Sequence, residues 1–200
     1  VFAHLDVSDP TSCEAAVDLA VTRFGGVDGV VNSAVKMAPG PLKELAHADW
    51  SKVIDIGLTG SFLLSQAAGR WMIDNGRKGS IVMLSSNGGR NPYGMSGAYS
   101  TTKAGLIMLA QHFAIEWAPY GIRANAVCPG LVLTDRVRAR AEGAFDNVRG
   151  DSDAYDTFKQ YPFGVGQPED IANIVLFLAS DESRMVNGAT IPAEGGISAY

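Results

Sequence analysis

A tyrosine and a lysine four residues apart are the residues in this sequence whose types and spacing first suggest chemistry. They are Tyr99 and Lys103, within GAYSTTKAGL at residues 97–106. On a helix, residues four apart share one face. A phenol with a pKa near 10 is a poor acid or base at neutral pH, but a neighbouring cation favours the phenolate and lowers that pKa. The pair therefore predicts a phenol that transfers protons, although this spacing alone often arises by chance.

A serine hydroxyl could complete such a site. Ser86 ends the segment SIVMLSS at 80–86, which is apolar enough to predict a buried strand. Its hydroxyl could hydrogen-bond a substrate oxygen and hold that oxygen at the phenol of Tyr99, which outlines an acid–base site for a carbonyl/alcohol pair. Ser85 is an alternative, but side chains alternate along a strand, so Ser85 and Ser86 are expected to point to opposite sides.

Alternating strands and helices must position these residues. Short, mostly apolar segments predict five strands. They are VFAHLD at the start and residues 27–32, 80–86, 122–128 and 189–194. The remaining pattern predicts helices at 10–24, about 49–74, about 99–118 and 168–180. This alternation is typical of an α/β fold, with a Rossmann-like, doubly wound parallel sheet and helices on both faces. The stretch 134–165 lacks such a pattern and predicts either a solvated loop or a mobile lid.

In such a sheet, ligands bind beyond the carboxyl ends of the strands. Polar residues at the predicted ends are therefore candidates for the site. They are Asp6, Asn32, Ser85, Ser86 and the run from Pro129-Gly130 to Thr134.

Composition restricts the classes of function. The 200 residues are 46% apolar with a net charge of −5, which suits one domain and offers no basic patch for nucleic acid. No apolar run is long enough to span a membrane, so no membrane partner is expected. Three scattered histidines predict no metal site. Two cysteines in unrelated contexts, Cys13 and Cys128, favour a reduced, cytoplasmic protein.

The motifs, taken in order, resemble the short-chain dehydrogenase/reductase superfamily in its compact, single-domain form. Tyr-x-x-x-Lys alone carries little weight, but the ordered set covers nearly the whole chain. The matching segments are Asp6-Val7, VNSAV at 31–35, Ser86 thirteen residues before YSTTK at 99–103, RANAVCPGLVLT at 123–134, GQPEDIANIVLFLASDES at 166–183 and EGG at 194–196.

The resemblance implies an NAD(P)-dependent oxidoreductase that interconverts a secondary alcohol and a ketone by hydride transfer. Tyr99 would be the general acid or base, Lys103 would lower its pKa and bind the nicotinamide ribose, and Ser86 would orient the substrate oxygen. The implied partners are a small alcohol or ketone and further copies of the chain, as a homodimer or homotetramer. The residues implied to bind NAD or NADP are Asp6, Val7, Asn32, Ala34, Tyr99, Lys103, Pro129, Gly130, Val132 and Thr134.

The glycine-rich turn that cradles the cofactor pyrophosphate in this family does not occur in these residues. Residues 1–200 are therefore expected to form a single NAD(P)-binding Rossmann-type domain that is truncated at its N-terminus and lacks the first two β–α units. In the family's strand order the missing strands lie between the first two strands predicted here, which predicts a gap in the sheet.

Two further departures concern single residues. Gly57 stands where the family usually has a catalytic asparagine, and glycine can supply a helix bend and a carbonyl but no amide. It motivates an alternative function, a cofactor-binding protein with weak or no catalysis. Val35 replaces a glycine, so its turn must differ or keep a negative φ. A sugar epimerase or dehydratase of the extended branch is disfavoured, because only six residues follow Glu194.

Overall fold

The computed structural model describes residues 1–135, 137–138 and 161–198. In this part of the chain, four parallel strands form one sheet in the order β1-β2-β3-β4. The strands are β1 Gly29–Asn32, β2 Gly79–Leu84, β3 Ile122–Pro129 and β4 Thr190–Ala193. The helices are α1 Pro10–Phe24, α2 His47–Ile54, α3 Gly60–Asp74, α4 Gly97–Trp117 and α5 Pro168–Ala179. A π-helical turn, Asp55–Thr59, joins α2 to α3 without interrupting the helix.

Helices cover both faces of the sheet, as the sequence predicts. On one face, Ile81 and Met83 of β2 pack with Met72 of α3 and Leu106 of α4. On the other face, the intervening Val82 packs with Leu178 of α5. Burial of alternate β2 residues against different helices is the expected consequence of the two-residue period of a strand. The doubly wound architecture is thereby confirmed.

Local signals set the ends of α1. The Asp9 carboxylate accepts a hydrogen bond of 3.0 Å from the backbone N–H of Thr11, and Pro10 takes the first helical position. Gly25 ends the helix with φ +80°, a left-handed conformation that glycine adopts without steric cost. The predicted helix 10–24 is confirmed at both ends.

The predicted strand in the first residues is absent from the structure. Residues 1–6 form no strand, and Phe2 is fully exposed. The Asp6 carboxylate instead closes a turn by accepting hydrogen bonds from the backbone N–H and hydroxyl of Ser8, at 2.9 and 2.6 Å. A strand forms only where a neighbour pairs with its backbone, and the described sheet ends at β1 without pairing to these residues. The predicted gap lies between these residues and β1, outside the four paired strands, and it stays a prediction.

Most of the stretch 134–165, predicted as a loop or lid, lies outside the described residues. None of the described helices has the length and apolar character required to cross a membrane. Within the described ranges, the histidine, cysteine and carboxylate side chains form no group of three that could hold a metal ion.

Candidate active site

The candidate site lies where the carboxyl end of β2 meets the first turns of α4. Ser86 continues the extended backbone of β2, and its hydroxyl accepts a 3.1 Å hydrogen bond from the N–H of Gly88. This bond starts the turn that redirects the chain towards α4. At Gly89 the chain touches α4 so closely that an added Cβ would lie 2.7 Å from the carbonyl carbon of Lys103.

Tyr99 lies on the first turn of α4, facing Ser86. Burial raises the pKa of the Tyr99 phenol above its ordinary value, while a hydrogen bond with the Ser86 hydroxyl opposes that shift. The sequence predicted the reverse, a pKa lowered by Lys103. The expectation fails because burial depends on the whole fold, whereas the four-residue spacing reports only that the two side chains share a helix face.

Lys103 is a buried ammonium, with only 4% of its surface exposed. Its Nζ donates a 2.6 Å hydrogen bond to the backbone carbonyl of Leu84 and lies 5.6 Å from the centroid of the Tyr99 ring. Burial lowers the pKa of Lys103 from 10.5 to about 8, and the nearby Cys128 opposes this shift. An ammonium has three N–H donors, and the bond to Leu84 uses one of them.

Ser85 supports α4 through the backbone of Lys103. Its hydroxyl donates a 2.7 Å hydrogen bond to the Lys103 carbonyl, and Ser85 is itself buried. The two serine hydroxyls have different partners, the Lys103 carbonyl for Ser85 and the Gly88 N–H for Ser86. The sequence-based choice of Ser86 over Ser85 as the serine that faces the substrate stays a prediction. The supporting role of Ser85 was missed at the sequence level.

Gly57 lies in the π-helical turn between α2 and α3, where it is buried. Its backbone carbonyl accepts a 2.8 Å hydrogen bond from the hydroxyl of Ser61. A π-helical turn departs from regular α-helix geometry and is often found at functional sites. The sequence-based expectation that Gly57 supplies a helix irregularity and a carbonyl agrees with this geometry. The Ser61 hydroxyl as partner of that carbonyl was not predicted.

The residues predicted for the adenosine side of the cofactor are divided between buried and exposed positions. Asn32 is buried, and its amide donates a 2.8 Å hydrogen bond to the hydroxyl of Ser65 on α3. Ala34 is half-buried. Val35 keeps a negative φ, which was one of the two predictions for this position; the other was a different turn. Asp6 is exposed, and its pKa is lowered chiefly by the hydrogen bonds from Ser8.

Val7 packs against α3. An added Cβ at Gly60 would lie 2.7 Å from Cγ2 of Val7, so the glycine permits this approach. Asn32 contacts the same helix at Ser65, five residues after Gly60. The structure thus places Val7 and Asn32 along the first half of α3.

The segment after β3 is held by the C-terminal part of the chain. The N–H of Gly130 donates to the carbonyl of Ala193 at 3.0 Å, and the N–H of Leu131 donates to the hydroxyl of Tyr161 at 3.1 Å. Val132 forms an isolated bridge with Gly166. Pro129 ends β3 beside Ala193. The hydroxyl of Thr134 accepts a long hydrogen bond of 3.4 Å from the N–H of Val137. No sequence signal pointed to Tyr161 as a partner of this segment.

Comparison with known proteins agrees with the fold and the site. A family model described as enoyl-(acyl carrier protein) reductase matches residues 1–198. D-threitol dehydrogenase of Mycolicibacterium smegmatis is 36% identical over 192 residues, which are 96% of this chain and 70% of that protein. A 3-alpha-(or 20-beta)-hydroxysteroid dehydrogenase of Mycobacterium bovis is 35% identical over 195 residues, covering 98% of this chain and 70% of the relative.

A solved structure extends the comparison to three dimensions. The crystal structure of a short-chain dehydrogenase/reductase from Burkholderia xenovorans, described as putative, superposes with a TM-score of 0.88 at 32% identity. That match covers 99% of this chain and 74% of the other. The chain belongs to the short-chain dehydrogenase/reductase superfamily, a class of oxidoreductases with a Rossmann fold.

Proposed function

We propose that the protein is an NAD(P)-dependent dehydrogenase/reductase that interconverts a secondary alcohol and a ketone, with Tyr99 as acid and base. The observation that carries this proposal is the meeting of Ser86, Tyr99 and Lys103 at the carboxyl end of β2. Ser86 lies near enough to the phenol to oppose the rise in its pKa, and the buried ammonium of Lys103 lies over the phenol ring. The names of the dehydrogenase relatives support the same class of reaction.

The protonation state of Tyr99 favours one direction at neutral pH. Because burial raises its pKa, the phenol stays protonated there and can donate a proton to a ketone oxygen. Oxidation of an alcohol requires the phenolate, which becomes more abundant as the pH rises. Ser86 is available to hydrogen-bond the same substrate oxygen and hold it at the phenol.

The donors of Lys103 fit a nicotinamide nucleotide. Among the described residues, Lys103 donates to the Leu84 carbonyl alone, which leaves two of its three N–H donors, and a ribose diol offers two hydroxyl acceptors. The bound nicotinamide would supply or accept the hydride. Its ribose would be held by Lys103 and Tyr99, the nicotinamide end by the segment from Pro129 through Gly130 and Val132 to Thr134, and the adenosine end by Asp6, Val7, Asn32 and Ala34.

Replacing the phenol tests the proposal directly. Tyr99→Phe is expected to lower kcat by roughly 10²–10⁴, the usual contribution of proton transfer. It should leave NAD(P)H binding largely intact, because Lys103 and the other cofactor-binding segments still hold the dinucleotide. Tyr120→Phe is the matched control, because Tyr120 lies exposed at the far end of α4. Oxidation rates with both cofactors and fluorescence titration of NAD(P)H measure the two effects. Equal rates for Tyr99→Phe and Tyr120→Phe would exclude Tyr99 as the acid or base.

A cofactor-binding protein with weak or no catalysis is the second candidate, and Gly57 is the observation that favours it. Substrates to assay are D-threitol and hydroxysteroids, which the names of the two relatives give, together with simple secondary alcohols and ketones. Tight NAD(P)H binding without turnover on any of them would favour the second candidate over the first.

A further inference from the structure

A close contact joins the π-helical turn to the helix that carries the catalytic candidates. A Cβ added at Gly57 would lie 2.5 Å from Cγ2 of Thr102, closer than Cβ atoms come to their neighbours in proteins. The next nearest atom, Cβ of Thr102, would be 3.7 Å away, an ordinary contact distance. One methyl group of Thr102 therefore fills the space that a side chain at position 57 would need.

Neither partner of this contact moves easily. The N–H of Gly60 bonds to the carbonyl of Asp55 across the π turn, and the Ser61 hydroxyl holds the Gly57 carbonyl. Thr102 is 1% exposed, and a β-branched side chain on a helix is restricted at χ1. Its hydroxyl oxygen finds no hydrogen-bond partner among the described residues. The contact made by Thr102 is therefore one of shape, made by its methyl group.

The next residue of the same helical turn is also in close contact with its neighbours. The Ser85 hydroxyl donates a 2.7 Å hydrogen bond to the Lys103 carbonyl, and an added Cβ at Gly89 would lie 2.8 Å from that carbonyl oxygen. Gly57 approaches the side chain of Thr102, and Gly89 approaches the backbone of Lys103. Close contacts therefore restrain two successive residues of α4.

We infer that Gly57 and Thr102 form an interlocking pair that positions Lys103 by fixing the depth at which α4 packs against the π-helical turn. The inference rests on the proposed function, because it assigns the pair a purpose in that site. Both are positioning residues, since they act through the backbone of α4. As long as residue 102 is threonine, residue 57 must be glycine. A larger residue at position 57 requires a smaller one at position 102.

Four variants test the pair. Gly57→Ala introduces the clashing atom, Thr102→Ser removes the methyl group that it meets, and the double variant carries both changes. Gly40→Ala is the control, because an added Cβ at Gly40 meets nothing within 4 Å. Relative to wild type, Gly57→Ala is expected to lower kcat/KM at least about tenfold and Gly40→Ala less than about twofold, while the double variant recovers to within about threefold.

The ionisation of Lys103 gives a readout that needs no turnover. Displacing α4 should admit water to the ammonium, so the pKa of Lys103 should rise from about 8 towards 10.5 in Gly57→Ala and return in the double variant. NMR titration of ¹³C-labelled lysine measures it, even if the wild type turns over no substrate and the proposed function fails.

Two results would overturn the pairing. One is that Gly57→Ala has the same Lys103 pKa and the same melting temperature as Gly40→Ala. The other is that the double variant folds no more stably than Gly57→Ala and that its Lys103 pKa does not return towards the wild-type value. If Gly57→Ala alone does not fold, the double variant must still fold for the inference to stand.

Discussion

Replacing the buried Lys103 by methionine should change how the stability of the protein depends on pH. Below pH 8, the lysine is protonated in both the folded and the unfolded chain, and the folded state bears the cost of a desolvated ammonium. Between about 8 and 10.5, the folded chain releases its proton first, because its lysine pKa is the lower of the two. The unfolded chain then binds more protons, so the free energy of unfolding rises with pH in this window.

The magnitude follows from the two pKa values. The pKa of Lys103 falls from 10.5 in the unfolded chain to about 8 in the folded chain. At about 1.36 kcal/mol per pH unit, this difference corresponds to about 3 kcal/mol of folding free energy. Methionine is of similar size and carries no charge, so Lys103→Met lacks this pH-dependent contribution. The variant's stability relative to wild type should be highest near pH 7 and should fall by about 3 kcal/mol by pH 10.5.

Urea unfolding of both proteins at several pH values between 7 and 10.5 measures this difference. Tyrosines and cysteines also titrate in this range, but they are present in both proteins and largely cancel in the comparison. Lys52→Met is the matched control, because Lys52 is exposed on α2. The stability of Lys52→Met relative to wild type should not change with pH. A difference for Lys103→Met that is flat, or that grows as the pH rises, would refute the reasoning.

Three further predictions concern position 57, the phenol of Tyr99 and the assembly. Gly57→Asn should lower the free energy of unfolding by about 1–3 kcal/mol because its Cβ meets Thr102, and chemical denaturation checks this. An unchanged stability would show that α4 yields at no cost. Alcohol oxidation should accelerate and ketone reduction should slow as the pH rises from 7 to 10, because the raised pKa of Tyr99 keeps the phenol protonated at neutral pH. Initial rates in both directions measure this, and parallel pH profiles would contradict it. We also propose a homodimer or homotetramer in which the exposed Met108 and Ile115 of α4 are covered by a second copy. Glutamate at both positions should reduce the molar mass measured by light scattering, and a wild type that is already monomeric would disprove the assembly.

The parts of the fold that the sequence predicts well are those decided by neighbouring residues. Asp9, Pro10 and Gly25 set the ends of α1 through bonds and backbone angles within a few residues of each other. The strand predicted at residues 1–6 fails for the opposite reason. Its apolar pattern is real, but a strand also needs a paired neighbour, and only the three-dimensional sheet decides whether one is present.

The candidate site divides in the same way. The shared helix face of Tyr99 and Lys103 follows from their spacing. The direction of the Tyr99 pKa does not, because burial outweighs the hydrogen bond with Ser86 and is known only once the chain has folded. The contact between Gly57 and Thr102 joins residues far apart in sequence, so no local pattern indicates it. The sequence marks Gly57 only as a departure from its family.

The π-helical turn also limits which changes in length the chain can accept. A π-helical turn holds one residue more than an α-helical turn, because its hydrogen bonds join residues five apart. Deleting one residue from Asp55–Thr59 would therefore close the turn as regular α-helix and keep the buried stripe of α3, which includes Ser61, Ser65, Ala68 and Met72, against the sheet. A deletion inside α3 has no such reserve, since an α-helix turns by about 100° per residue. Lost between Gly60 and Ser65, a single residue would rotate the rest of α3 and break the contact of Ser65 with Asn32. The π turn is thus the place along α2 and α3 where the chain can lose a residue and keep the helix phase on which the core depends.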